Sequence, residues 1–244
     1  MPGLSDRAVD RALVAVAHPD DAEFWAGGTI PLWTDAGTEV TYCVLSDGDA
    51  GGFDPAMPRS EIPQMRRAEQ AEAAALLGVH DVRFFGLDEG GFRQGRRALH
   101  VDLVRVIRQV RPQRVVTWSP EWNWRRFRSC HPDHLATGTA VLTAIYPDAG
   151  NQFALPELKE QEDLDAWTVP EVWLINSPAR EANRYVDITE TFDRKVAAVR
   201  AHVSQIRDAH TIADRLRERI APNTAAAGFP EGRLAEAFQV VVTG

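Results

Sequence analysis

Lysine, cysteine and long apolar runs are scarce in this chain, and each shortage narrows what it can be. Lys159 and Lys195 are the only lysines, so the 27 basic side chains are nearly all arginine, which we read chiefly as lineage bias rather than anion recognition. Basic charge is in deficit as a whole: 35 acidic side chains leave a formal charge of -8. That argues against a general nucleic-acid binder, which shows a basic face. Two cysteines occur, Cys43 inside an apolar run and Cys130 beside His131. A secreted disulfide framework has more, so the expected compartment is a reducing cytoplasm. No stretch approaches the roughly 18 to 20 apolar residues of a spanning helix, and residues 1–10 lack a basic region followed by an apolar core, so no stable membrane anchor is expected. Neither GxGxxG nor GxxxxGK[ST] is present where a phosphate cradle needs it, which counts against a nucleotide-binding module without catalysis.

What is present is enough for a core, 244 residues of which 44% are apolar. Strand and helix patterns alternate without a linker, which predicts one domain over 1–244. The apolar run 12–17 reads as a first, buried strand. Residues 23–36 read as a helix that includes Gly27-Gly28 and stops at Gly37. A second strand spans 39–45 and exits into the glycine-rich loop 46–52, which can approach a ligand closely because glycine has no Cβ. Helix 62–77, strand 82–85, helix 99–110, strand 114–118 and helix 135–146 follow, the last with Pro132 near its first position. Four strand-helix units in a row predict an α/β, Rossmann-like, mostly parallel sheet with helices on both faces and right-handed crossovers. Residues 147–170 read as a long surface excursion. Strands at 171–176 and 185–188, helices at 189–206 and 212–220 and a closing strand within 235–242 complete the chain.

Two clusters carry chemistry, and both follow strand-like runs. His18-Pro19-Asp20-Asp21 leaves the first strand, and His131-Pro132-Asp133-His134 lies beyond the fourth. Open α/β sheets hold their ligands at the carboxyl ends of their strands. His18 and Asp21, three apart across a turn, with His134 from the start of a helix, supply two imidazoles and one carboxylate. That set leaves coordination positions open for water and a substrate carbonyl, as a catalytic Zn2+ site requires, and it also suits Fe2+, Mn2+ or Co2+. Asp20 is then free to act as a base on activated water. His131, one turn before His134, is placed to stabilise an oxyanion or to help protonate a leaving amine.

The sequence resembles the PIG-L / LmbE-like family of zinc-dependent de-N-acetylases. The resemblance rests on AHPDD at 17–21, SDGDAGG at 46–52, Arg66-Arg67-Ala68-Glu69 leading to Leu77-Gly78, and Phe85-Gly86-Leu87-Asp88. It continues with His131-Pro132-Asp133-His134, His202-Val203-Ser204-Gln205 and Ala235-Glu236-Ala237-Phe238. It covers nearly the whole chain, and the ordered combination rather than any one motif is specific. It implies His18, Asp21 and His134 as zinc ligands, Asp20 as general base and His131 as the oxyanion-stabilising histidine. It further implies substrate contacts from Arg66 and Asp88, which on their own also read as a solvated helix arginine and a turn aspartate. His202 and Gln205, one turn apart on a late helix, read either as pocket lining or as an ordinary helix-surface pair. The implied reaction removes an N-acetyl group from an amino sugar or N-acetylglucosamine-containing glycoside, a small-molecule substrate. A thiol-sugar amidase and an antibiotic-tailoring deacetylase are rivals of the same architecture. Family members are often multimeric, which leaves a homo-oligomer open. The segment 118–130 mixes tryptophans with arginines and suits sugar stacking, a lid or an oligomer contact alike, while Cys130 reads as a structural neighbour of the site.

Overall fold

The computed structural model describes residues 9–54, 56–91 and 97–243. Of the N-terminal stretch, residues 1–8 lie outside the described residues. Seven strands form one sheet in the order β3-β2-β1-β4-β5-β7-β6. These are β1 (Arg11–Val16), β2 (Glu39–Ser46), β3 (Asp81–Leu87), β4 (Arg114–Trp118), β5 (Glu171–Ile175), β6 (Arg184–Asp187) and β7 (Ala235–Val242). The first five pair in parallel, and β7 runs antiparallel to both β5 and β6. The predicted mostly parallel α/β sheet is therefore observed. Val14 at the centre of β1 lies opposite Tyr42 and Val116, and all three are fully buried. This is why the central strands read as unbroken apolar runs rather than as alternating ones.

Strand order reverses at β1. The chain first builds outward through β2 and β3, then returns to add β4 and β5 on the other side. The carboxyl ends of β1 and β4 thus flank a topological switch point, the crevice in which such sheets bind ligands. His18 lies two residues beyond β1, and β4 feeds the loop that ends at His131.

The helices are α1 (Asp21–Ala26), α2 (Thr29–Asp35), α3 (Ile62–Leu76), α4 (Arg97–Val110), α5 (Pro132–Thr143), α6 (Pro156–Glu162), α7 (Phe192–Ala201) and α8 (Ile212–Ala227). α4 packs on α5 and both reach β1, while α1 and α3 pack on α7. One apolar core surrounds the sheet, and a smaller one joins Ile188, Phe192, Val196, Ile212, Leu216 and Ile220 between α7 and α8. Among the described residues no helix is long and apolar enough to cross a membrane.

Four expected elements come out differently. The helix expected over 23–36 is split into α1 and α2, because the Glu236 carboxylate from β7 accepts the N–H groups of Gly28 and Thr29 and so caps a new helix start. The supposed excursion 147–170 contains α6 and buries Leu158 and Val169. Arg108 pins it by donating to the carbonyls of Asp148, Ala149, Asn151 and Ala154. The helix expected over 189–206 is α7 alone, flanked by 3-10 turns at Thr189–Thr191 and Val203–Gln205. α8 runs past Pro222 to Ala227 and stops at Gly228, whose φ of 67° a glycine adopts without strain.

Candidate active site

Beyond β1 the chain turns sharply. Asp20 takes φ 103° and ψ -25°, a left-handed conformation that costs a non-glycine residue about 1–2 kcal/mol. Gln70 Oε1 accepts the Asp20 N–H at 3.0 Å, and Arg66 donates both to the Pro19 carbonyl and, at 3.2 Å, to Asp20 Oδ2. A strained residue held by a buried arginine and a buried glutamine points to a turn shaped for chemistry rather than for stability.

The same turn aims Asp21 back at the strand ends. Its Oδ2 accepts the N–H of Ala17 at 3.1 Å, that of His18 at 2.9 Å and the Trp118 indole N–H at 3.2 Å. Its Oδ1 faces His134 Nε2 at 3.3 Å. His134 lies in the first turn of α5, stacks on Trp118 with ring centroids 3.6 Å apart, and places Nδ1 2.9 Å from the Ser129 carbonyl. His18 Nε2 lies 3.3 Å from Asp133 Oδ2. With an acceptor at the far nitrogen of each ring, the N–H sits there and both rings turn a lone pair inward. Those two nitrogens, His18 Nδ1 and His134 Nε2, are 3.2 Å apart, and His18 Nδ1 is 3.7 Å from Asp21 Oδ2. Three acceptors therefore face one another with no donor among them, an arrangement that a cation between them would satisfy. Ligand atoms about 2.1 Å from one tetrahedral ion stand about 3.4 Å apart, so the donor set fits a divalent metal.

His131 caps α5 and sits slightly farther out. Its nearest ring nitrogen and those of His18 and His134 all lie within 4.8 Å of one another, so a three-histidine group able to hold a metal is also present. His131 Nδ1 accepts the Asp133 N–H at 3.3 Å, which leaves Nε2 as a donor, 3.8 Å from the Glu89 carboxylate.

The two adjacent aspartates are driven apart electrostatically. Burial by itself would raise the Asp21 carboxyl, but attraction to the facing His134 and His18 when those rings are protonated, together with the His18 N–H, holds it well below the ordinary carboxylate value. Asp20 is raised, first by burial and then by the charge of Asp21, against the pull of Arg66. One carboxylate stays ionised and the other can take up a proton nearer neutrality, the division of labour that metal ligand and base require. His131 is lowered by burial and by the nearby His18, which favours the neutral, hydrogen-bond-donating ring.

The profile of GlcNAc-PI de-N-acetylase, PIG-L, matches residues 13–145. The probable N-acetyl-alpha-D-glucosaminyl L-malate deacetylase 2 of Bacillus cereus is 32% identical over 199 residues, covering 79% of this chain and 82% of that protein. The chain belongs to the PIG-L family. The diacetylchitobiose deacetylase of Thermococcus kodakarensis, another relative, is 32% identical over 81% of this chain and 70% of its own. Among solved structures, the N,N'-diacetylchitobiose deacetylase of Pyrococcus horikoshii superimposes with a TM-score of 0.85 at 27% identity, covering 98% of this chain and 85% of that one. The hydratase GalB of Pseudomonas putida shares the fold, with a TM-score of 0.78 at 23% identity over 96% of this chain and 97% of that one. The PIG-L fold thus hosts chemistries other than deacetylation, and function has to be argued from the site.

Within this PIG-L-family chain, His18, Asp20, Asp21, His131 and His134 are brought together. Arg66, only 3% exposed, donates from its Nη groups to Gly48 O, Pro19 O and Asp20 Oδ2, while its Nε is buried without a hydrogen-bond partner. The glycine-rich loop after β2 closes on that guanidinium: a Cβ at Gly48, where φ is 60°, would stand 1.9 Å from Arg66 Nη1, and one at Gly51 2.7 Å. The close approach expected of this loop is thus made to Arg66. Asp88 stands exposed at the exit of β3, while its neighbours Glu89 and Gly90 reach His131 and Asp133. His202 closes α7, fully buried, with Nε2 3.2 Å from Glu23 Oε2. Gln205 lies over Gly51 and donates to Ser204 Oγ.

Sequence reasoning missed the supports of the site. Asp133, fully buried, orients His18 and accepts the Gly90 N–H at 2.8 Å. Glu23 joins His202 to Gln70, which in turn holds the Asp20 backbone. An acid between the two histidines of HPDH, and another two residues after Asp21 in the first turn of α1, were the signals available.

Proposed function

We propose that this protein is a metal-dependent N-deacetylase of a small amino sugar, releasing acetate from an N-acetylglucosamine unit. The observation that carries this is the separation of the two adjacent carboxylates: Asp21 faces the inward lone pairs of His18 and His134, while Arg66 holds Asp20 beside them. The relatives support the substrate class, since their names share an acetylated glucosamine, joined to malate, to a second sugar or to inositol. In this reading His18, Asp21 and His134 hold the cation, Zn2+ first and Fe2+, Mn2+ or Co2+ as compatible substitutes. Bound there, a divalent cation supplies Lewis acidity, which lowers the pKa of water and polarises an amide carbonyl.

The chain's own groups do the rest. Asp20 takes the proton of the attacking water and returns it to the amine as the C–N bond breaks. The His131 Nε2–H donates to the carbonyl oxygen as that oxygen gains negative charge. Arg66 keeps Asp20 aimed, and Asp133 keeps the His18 lone pair turned inward. Both cysteines are free and buried, which suits the reducing cytoplasm we assign to it.

The test is metal analysis of the purified protein, followed by an acetate-release assay over a panel of N-acetylglucosamine, diacetylchitobiose and N-acetylglucosaminides of malate and inositol. One equivalent of divalent metal, activity lost on chelation and activity restored by added metal are expected. Stoichiometric metal with no hydrolysis of any panel member would overturn the reading.

A further inference from the structure

A cavity of about 340 Å³ opens beside the metal centre, walled by Trp25, Asn123, Arg126, Asn176, Ser177 and Arg219 among others. It adjoins the centre through shared groups. Trp25 packs edge-on against Trp118 at 5.2 Å, and Trp118 carries His134 on its face. Asn176 Nδ2 and His134 Nδ1 both bind the Ser129 carbonyl, at 3.1 and 2.9 Å.

The cavity gathers positive charge that no carboxylate contacts directly among the described residues, with Asp21 and Asp20 attracting Arg219 only from a longer range. The Arg219 guanidinium lies 4.0 Å and that of Arg126 5.8 Å from the centroid of the Trp25 ring, and Arg126 Nη2 donates to the Arg219 carbonyl at 3.3 Å. Neither guanidinium forms an ion pair with a carboxylate among the described residues. The acid in the lining, Glu236, is already engaged by Lys195, Gly28 and Thr29. Burial lowers both guanidiniums, and the proximity of Arg126 adds to the effect on Arg219, which falls to about 10 despite the attraction of Asp21 and Asp20. Two like charges drawn partly out of water are unfavourable unless something negative joins them. In a chain of net charge -8 this pairing is a local reversal of sign. The lining also carries unused polar atoms: Asn176 is 8% exposed, and its Oδ1 and the Ser177 Oγ are buried without a hydrogen-bond partner.

We propose that Arg126 and Arg219 form an anion subsite for the part of the substrate beyond the acetylated sugar: a carboxylate or phosphate on a hydroxyl-bearing aglycone. The guanidiniums hold the oxyanion, Ser177 Oγ donates to it or to a neighbouring hydroxyl, and Asn176 Oδ1 accepts from a hydroxyl. Trp25 keeps the two arginines on one wall. The assignment of the ligand as a substrate rests on the deacetylase function proposed for the metal centre.

Two measurements on the metal-loaded protein test it. In the first, inorganic phosphate and succinate are titrated into wild type, Arg126→Gln and Arg219→Gln by calorimetry, with metal content and melting temperature checked in each. Affinity for at least one anion is expected to fall about 10- to 100-fold in each folded variant, the loss of one charge-assisted contact. Anion binding that survives in both variants belongs to the metal centre and overturns the subsite, as does an absence of binding in wild type. In the second, matched N-acetylglucosaminides with neutral, carboxylated or phosphorylated aglycones are compared. The ratio of kcat/KM for the preferred anionic substrate to that for the neutral one should drop at least about 10-fold in each variant, mostly through KM. The two anionic arms identify which oxyanion is read, and an unchanged ratio overturns the proposal. If no substrate is hydrolysed while anion binding still requires both arginines, the subsite stands and the deacetylase reading falls.

Discussion

Both ends of α1 bury charge, yet the two clusters differ in what they leave over. At its carboxyl end Lys195 donates to Glu23 O at 3.0 Å, Phe24 O at 2.8 Å and Glu236 Oε1 at 2.6 Å. Glu236 also accepts from Gly28 N, Thr29 N and Thr29 Oγ1. Every donor of the ammonium and both oxygens of the carboxylate are used within the chain. At the amino end His18, Asp21 and His134 spend their outer valences on Asp133, on backbone and Trp118 N–H groups and on Ser129, and turn the rest toward one another. Burial perturbs titration in both places, lowering Lys195 against the pull of Glu236 and raising Asp20. A shifted pKa therefore does not separate a structural cluster from a chemical one. Unspent valence does.

The largest effect that tests this contrast is expected at Asp20. Replacing Asp20 by Asn keeps the shape of the strained turn and the acceptor for Arg66 but removes the base. Deacetylation should fall about 10²- to 10⁴-fold with metal stoichiometry unchanged. Near-normal turnover in that variant would erase the distinction between the two aspartates.

Next comes the spent cluster. Lys195→Met leaves the Glu236 carboxylate buried without its cation, which should destabilise the fold by about 3–5 kcal/mol. Denaturant unfolding measures it, and the fraction that remains folded should bind metal as wild type does. A variant that stays stable and loses metal instead would reverse the roles of the two ends of α1.

A smaller loss is expected between the two. Asp133→Asn removes the carboxylate that fixes the His18 ring, so metal affinity should drop about 10- to 100-fold, measured by competition with a chromophoric chelator. Unchanged affinity would mean that His18 is oriented without Asp133 and that the inward lone pair is not set by its partner.

How far these features were legible depends on whether they are local in sequence. The buried strands announce themselves through runs such as 12–17, because a parallel central strand is apolar on both faces. HPDD and HPDH are visible because each lies within a few residues of a strand or helix end, and the switch point brings the two together. The supports are not local. Arg66 reads as a solvated helix arginine or a substrate contact, and only the folded chain shows its guanidinium against Gly48 and Pro19. Arg219 is one of three arginines on α8, and its pairing with Arg126 across 93 residues leaves no trace in spacing. The split between α1 and α2 likewise depends on Glu236, more than two hundred residues away.

A solvent-facing ion pair at the edge of the sheet shows where spent valence ceases to matter. Asp187, at the end of the edge strand β6, accepts from Thr189 N and Thr189 Oγ1, at 3.0 and 2.7 Å, and pairs with Arg233, whose side chain is 40% exposed. Burial alone would raise the Asp187 carboxyl, but these hydrogen bonds and Arg233 hold it below its ordinary value. A carboxyl lowered in the folded state stabilises above its unfolded pKa of about 3.9, and that contribution disappears as pH falls through the lower folded value. Solvent screens the pair, so Asp187→Ala should cost under about 1 kcal/mol at pH 7. The difference from wild type should close as denaturation curves are taken to lower pH. A cost at pH 7 as large as that of Lys195→Met, or one that persists in acid, would mean that burial is not what separates this pair from the one at Glu236.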